Sequence, residues 1–418
     1  MSTQLPKSAA TMISPERAAR IAALAKDGID LKVGRIKTTS HPLWAALKKV
    51  GSELWLDTGD IDAASPLYTS EFTALTTNNT LLNKEVQKGT YDELVRKLAV
   101  ELKDLDEQTR VIEIAFILNA RHGLRLAQTF GGKVSVELHT DLANDIERSL
   151  HYGRRYFAIC PEHFIVKIPL TPSGLISART LRLEGIPINF TLGFSARQNY
   201  VAAAFTEPAY VNVFLGRLNA YVSDNKLGDG KMVGEKAMLA SQRAVTKVSS
   251  GKTKHIAASL RGASQVADLA GIDVYTMPTT VAAASIKELK DDFTNRVAQD
   301  YAVTWNSAAE AAANRVSVLW DIAKPETAFA AALRAKAPTT SAELIALAKA
   351  NGAGDMFPQI SDADWAVIAK DGKIPKHATW SARIASGELA IDTLMTYAAL
   401  QSFIADQKEM DDRIRKYL

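Results

Sequence analysis

The chain has 418 residues, with 50 Lys or Arg against 46 Asp or Glu, so a formal charge of +4 is spread thinly along it. That balance argues against nucleic acid or an anionic membrane as the main partner. Hydrophobic residues make up 47% and charged residues 23%, enough for a large core, which excludes wholesale disorder. The N-terminal MSTQLPKSAATMISPERAAR lacks the continuous apolar stretch of an export signal, and no apolar run elsewhere is long enough to span a bilayer. The expectation is a soluble, cytoplasmic protein. A single cysteine, Cys160, excludes an intrachain disulfide and a cysteine-cluster metal site.

Residues 15–26 and 43–49 read as short helices ahead of the first strand. From there, short runs rich in Val, Ile and Leu alternate with longer segments of helical periodicity, the pattern of parallel strands joined by crossover helices. The runs are LWLDT (54–58), ALTTN (74–78), KVSVEL (133–138), FIVKI (164–168), PINFT (187–191), YVNVF (210–214), KHIAAS (254–259) and DVYTM (273–277). Most are too apolar to be half exposed, as expected of strands covered on both faces. Thr90 with Glu93 predicts a capping box ahead of Leu94, Leu98 and Leu102, and Ser195 with Gln198 another ahead of Val201. Thr171 with Pro172 predicts a helix start, and Gly185 its end. Ile286, Leu289, Phe293 and Val297 mark a helix after the eighth run.

Eight strand–helix units in series predict an α/β fold, a TIM (β/α)₈ barrel with N-terminal and C-terminal helical additions. The expected division is a helical lead-in over 1–50, a catalytic barrel over 51–320 and a C-terminal helical extension packing on it over 321–418. Within the extension, 325–385 reads as short helices and loops, and 388–417 as one long amphipathic helix.

In such a barrel the active site lies at the carboxyl ends of the strands, so polar residues that close an apolar run carry the information. Asp57 ends LWLD, Glu137 ends VSVE, Lys167 sits inside FIVKIP, and Arg217 and Arg261 follow YVNVFLG and HIAASL. Singly, each has a plainer reading: a snorkelling lysine, carboxylates that cap the next helix, arginines in surface ion pairs. Together they would converge on one mouth. A lysine enclosed by Ile165, Val166, Ile168 and Pro169 is desolvated, which favours a neutral amine. Such an amine can form a Schiff base with a carbonyl and then act as an electron sink for breaking a C–C bond. Two carboxylates from other strands could move the protons.

The strings LWLDTGDI, LTTNNTLL, VSVEL, IVKIPLTPSGL, EGIPINFTLGFSARQ, YVNVFLGRL and HIAASLRGASQVADLAGIDVYTM, in this order, resemble the transaldolase family over about residues 44–300. The final ELAIDTLMTYAALQSFIADQKEMDDRI is similar to that family's closing helix. The resemblance implies a Schiff-base lysine at Lys167. It implies an acid/base at Asp57 for the C4 hydroxyl, and Glu137 working through a water near Thr191. It further implies ketose contacts from Asn78 and Asn189 and a sugar-phosphate site of Arg217, Ser259 and Arg261, with no cofactor and no metal. The implied partners are small-molecule sugar phosphates, in the pentose phosphate pathway, and homo-oligomerisation stays open. The chain departs from the family's usual pattern at Asn79, where a proline is common, and at Asn212 and Val213. Asn212 could still bond a ketose hydroxyl. The related fructose-6-phosphate aldolase tends to have Gln where Glu137 stands and Tyr where Phe214 stands, so the resemblance favours transfer over simple cleavage.

Other readings rank lower. The Glu137-x-His139-x-Asp141 cluster would need further histidines to make a zinc site. TKVSSGKT (246–253) lacks the first glycine of a phosphate loop. KLGDGKMVGEK (226–236) reads as a mobile loop near the mouth. A sugar-phosphate-binding barrel without catalysis would be expected to have lost Lys167 or Asp57, and both are present.

Overall fold

The computed structural model describes residues 12–418, so most of the segment read for an export signal lies outside the described residues. Eight parallel strands close a barrel in sequence order: β1 (Glu53–Asp57), β2 (Phe72–Thr76), β3 (Lys133–Glu137), β4 (Phe164–Pro169), β5 (Ile188–Thr191), β6 (Tyr210–Phe214), β7 (Lys254–Ala258) and β8 (Val274–Pro278), with β8 pairing back onto β1. The expected TIM-type barrel is what the chain forms. The limits of β6 match the expected run, and those of the other strands differ from theirs by no more than two residues at either end. Asn78 therefore leaves β2 and becomes the N-cap of the helix Asn79–Gln87, where its side chain accepts from the Leu81 N–H at 2.9 Å.

Side chains alternate between the two faces of each strand, and this sorts the interior from the exterior. Leu54, Leu56, Val134, Val136, Val166 and Ile168 face outward into the large core beneath the helices. Trp55, Ala74, Ile165, Ile256 and Val274 face inward and form a separate small cluster, with Tyr210 against Trp55 at a ring separation of 4.7 Å. That cluster plugs the barrel. Two residues further along the same strands, on the same face, come Asp57, Thr76, Lys167, Ala258 and Thr276. The period of two thus carries an apolar plug directly into a polar layer.

Among the described residues no helix is long and apolar enough to cross a membrane. The lead-in helices Pro15–Lys26 and Pro42–Lys49 match expectation. Thr171 caps Pro172–Leu183 by accepting from the Gly174 N–H at 2.9 Å, and Gly185 follows that helix at φ +85°. Ser195 caps Ala196–Thr206 as expected, but the Gln198 amide oxygen bonds the Phe194 N–H rather than closing the box on Ser195. The Thr90 box does not form. The helix Asp92–Glu101 starts after Tyr91 with no side-chain cap, because Tyr91 is drawn into the core against His122 and Glu93 pairs forward with Lys97.

The helix after β8 stops at Glu288. Leu289, Phe293 and Val297 still pack on the core, but from an irregular segment held by bonds from Asn295 Nδ2 to the Val50 carbonyl and from the Arg296 N–H to the Ala270 carbonyl. Those anchors lie on other loops, so helical spacing overstated the helix. Residues 325–385 are short helices and loops, as expected, and Ile391–Arg415 is the long closing helix. KLGDGKMVGEK contributes nothing to the wall of the central cavity. Its Gly228 bridges Trp305, and its last residues begin the helix Val233–Ser249.

Candidate active site

Pairing register sets the first three groups side by side. Glu137 on β3 is opposite Lys167 on β4, and Lys167 is opposite Asn189 on β5. The Lys167 ammonium nitrogen lies 3.2 Å from Glu137 Oε2 and 3.2 Å from the Thr77 carbonyl, and both side chains are 3% exposed. The fold thus sets a carboxylate from the neighbouring strand directly beside the buried amine, in line with the convergence of ionisable groups expected from the strand ends. Burial pushes the Glu137 carboxyl up from its ordinary range, and the Lys167 charge holds it back.

Asp57, on β1, opens onto the same cavity and is enclosed on its other sides. Burial raises its pKa to about 6, against the opposing pull of Lys167, Arg261 and Lys84. It remains ionised at neutral pH and titrates close to it. Its pKa is higher folded than unfolded, so folding takes up a proton between the ordinary 3.8 and about 6, and stability falls as pH rises through that window. Asp57→Asn should therefore raise stability at neutral pH, by about 1–2 kcal/mol after allowing for cavity water, and flatten that pH dependence. Urea unfolding at about pH 4 and about pH 7 measures both.

The central cavity, of about 160 Å³, is lined by nine of the expected residues: Asp57, Asn78, Lys167, Asn189, Asn212, Phe214, Arg217, Ser259 and Arg261. Glu137 and Thr191 are not on its wall. Both are buried directly behind it, Glu137 against Lys167 and Thr191 beside Asn189 with no hydrogen-bond partner for its hydroxyl among the described residues. Asn189 Nδ2 donates to Ser135 Oγ at 3.0 Å and leaves its carbonyl oxygen unpartnered. Asn212 lines the cavity and also braces the turn after β5: its amide nitrogen donates one bond to the Phe190 carbonyl and its oxygen accepts from the Gly193 N–H at 3.4 Å, which leaves a second N–H on the same amide. Asn79 turns its backbone N–H toward Glu137, a donor that a proline at this position could not supply.

Arg217 is 7% exposed, and its Nη1 has no partner among the described residues. It lies against the rings of Phe214 and Phe403, at 5.5 and 5.8 Å. Burial and the nearby Arg261 charge push its pKa down to about 10. A buried, unpaired guanidinium beside a second one calls for an anion. Ser259 sits in the left-handed region at φ +64°, and its carbonyl lies 2.1 Å from where a Cβ on residue 216 would stand, so Gly216 is required for the β6 helix to bring Arg217 beside it.

Phe403, on the closing helix, completes the wall, 5.9 Å from the Lys167 nitrogen. Sequence periodicity marks it only as one of an apolar stripe. Thr76, Thr276 and Lys373 also line the cavity without a sequence signal for function. Thr276 bonds Thr76 at 2.9 Å across the barrel. His139 caps the turn Thr140–Leu142 and faces Asp411 of the closing helix at 3.3 Å. Among the described residues no group of three or more His, Cys, Asp or Glu is placed to hold a metal ion.

Residues 54–331 match the family described as transaldolase/fructose-6-phosphate aldolase. A transaldolase of Xanthomonas oryzae pv. oryzae (strain PXO99A) is 32% identical over 253 residues, 57% of this chain and 76% of that protein. One of Xanthomonas euvesicatoria pv. vesicatoria is 31% identical over 252 residues with the same shares. A probable transaldolase of Thermus thermophilus is 37% identical over 164 residues, 39% of this chain and 67% of that protein.

Proposed function

This chain belongs to the transaldolase/fructose-6-phosphate aldolase family, and from that premise we propose that it is a transaldolase that moves a dihydroxyacetone unit through a Schiff base on Lys167. The donor is a ketose phosphate, fructose 6-phosphate or sedoheptulose 7-phosphate. The acceptor is an aldose phosphate, erythrose 4-phosphate or glyceraldehyde 3-phosphate. That reaction belongs to the cytoplasmic pentose phosphate pathway. The observation that carries the reading is Lys167 on the wall of one cavity with Asp57 and the unpaired Arg217, backed by the buried Glu137 carboxylate at 3.2 Å.

Lys167 passes its proton to Glu137, whose raised pKa suits it to receive one, and the amine adds to the ketone carbon C2. Glu137 then returns protons to the carbinolamine oxygen so that water leaves and the iminium forms. The unpartnered Thr191 hydroxyl behind the cavity supports a water held there for that relay. Asp57 takes the proton from the C4 hydroxyl as the C3–C4 bond breaks and its electrons pass into the iminium, giving an enamine and the free aldose. The aldose exchanges for the acceptor, and the same steps run backward. Arg217 and Arg261 hold the phosphate. Phe214 carries no hydroxyl that could protonate the enamine, which supports transfer over cleavage.

Borohydride added with fructose 6-phosphate should trap the sugar on Lys167, located by mass mapping of the modified peptide. Fructose 6-phosphate alone should release little dihydroxyacetone, and erythrose 4-phosphate should set turnover going. Rapid release without acceptor would favour the aldolase reaction, and modification at another lysine would overturn the mechanism.

A further inference from the structure

Lys373 lies beyond residue 331, where the family match ends, yet it lines the same cavity as Arg217 and Arg261. It stands in a short loop between the helices Asp362–Asp371 and His377–Ala385. Three features fix that loop. Gly372 leaves the first helix at φ +75°, ψ −140°, a backbone conformation that a side chain disfavours. The Asp371 carboxylate closes the loop by accepting from the Lys376 N–H at 3.0 Å. The far side is bonded to the helix Leu215–Asp224 and its C-cap: Asn225 Nδ2 donates to the Pro375 carbonyl at 3.0 Å, the His377 N–H donates to Asn225 Oδ1 at 2.8 Å, and Tyr221 OH meets His377 Nδ1 at 2.7 Å.

Arg217, Tyr221 and Asn225 are four residues apart and share one face of that helix. The face that carries Arg217 at the mouth therefore also docks the loop, with Asn225 about 12 Å further down the axis. Lys373, two residues before Pro375, is exposed, and its amine has no ion pair among the described residues. Lys376 in the same loop has Asp371 at 3.9 Å and does not reach the cavity.

We propose that Lys373 is a third cationic contact for the substrate's phosphate group, supplied by the extension, and that it strengthens the preference for phosphorylated over unphosphorylated sugars. This role rests on the transaldolase reading of the cavity, but its test does not need turnover. Inorganic phosphate titrated calorimetrically into the full-length protein should bind about fivefold more weakly to Lys373→Met than to the parent. Lys376→Met, which removes the same charge from the same loop, should bind phosphate like the parent. In turnover, Lys373→Met should raise KM for fructose 6-phosphate about fivefold, leave kcat within about twofold, and leave KM for unphosphorylated fructose unchanged. Equal phosphate affinity in Lys373→Met and parent, equal weakening in both variants, or no phosphate binding by the parent would overturn the role. Phosphate binding that weakens only in Lys373→Met, in a protein that fails to turn over fructose 6-phosphate, would uphold the contact and sink only the reaction.

Discussion

Lys167→Ala should lower turnover of fructose 6-phosphate by at least about 10⁴-fold, because among the described residues Lys167 is the cavity amine set against Glu137, and the covalent route is lost with it. Borohydride trapping should vanish in parallel. The substitution also leaves Glu137 and Asp57 buried without their nearest cation, and both would then tend to take up protons rather than remain charged. Lys167→Met, which keeps most of the side-chain volume, serves as the folding control, and circular dichroism of both variants should match the parent. Residual turnover above about one per cent in either would show that imine formation on this residue is not the route. The parent should keep its activity in EDTA, since the proposed steps use only amine and carboxyl groups. Loss to chelator with recovery in zinc would contradict them.

Arg197→Met should cost about 3–5 kcal/mol of stability and lower Tm by several degrees, the largest effect expected of any single change outside the cavity. Arg197 is 1% exposed and stands on the helix after β5. Its guanidinium makes a two-bond fork on Asp392 of the closing helix, at 2.8 and 2.9 Å, and reaches Glu326 and Asp355 of the extension at 3.1 Å each. Arg315 adds a second cation to Asp355 at 2.9 Å. Removing Arg197 strands carboxylates in the core, a far larger penalty than the pair itself returns. The same change should loosen the closing helix and, through Phe403, the cavity wall. Thermal unfolding measures the first effect, and a rise in KM before any loss of fold measures the second.

Much of the site could be read along the chain because the relevant constraints are local. Lys167, Glu137 and Asp57 lie within or at the ends of apolar strands, and a period of two places each on a face once its neighbours are known. Thr171 and Ser195 could be recognised as caps because a cap is settled within three residues. The Thr90 box and the helix through Val297 fail where the same local signals lose to distant partners, His122 for Tyr91 and the Val50 and Ala270 carbonyls for the segment after Glu288. Asn212 shows the same limit. Its residue type offered an amide to the cavity, and only the packing of the β5 turn against β6 tied one N–H and the oxygen of that amide to the backbone.

The alternation of apolar runs and helical segments determined the barrel, and the ordered strings determined the family, since both are written in neighbouring residues. Tertiary structure alone decided that Phe403 and Lys373 face the cavity, and that Arg197 is matched by carboxylates 129, 158 and 195 residues away. Such partners meet only when the chain closes on itself, and nothing in the spacing of nearby side chains encodes which distant charge or ring will arrive.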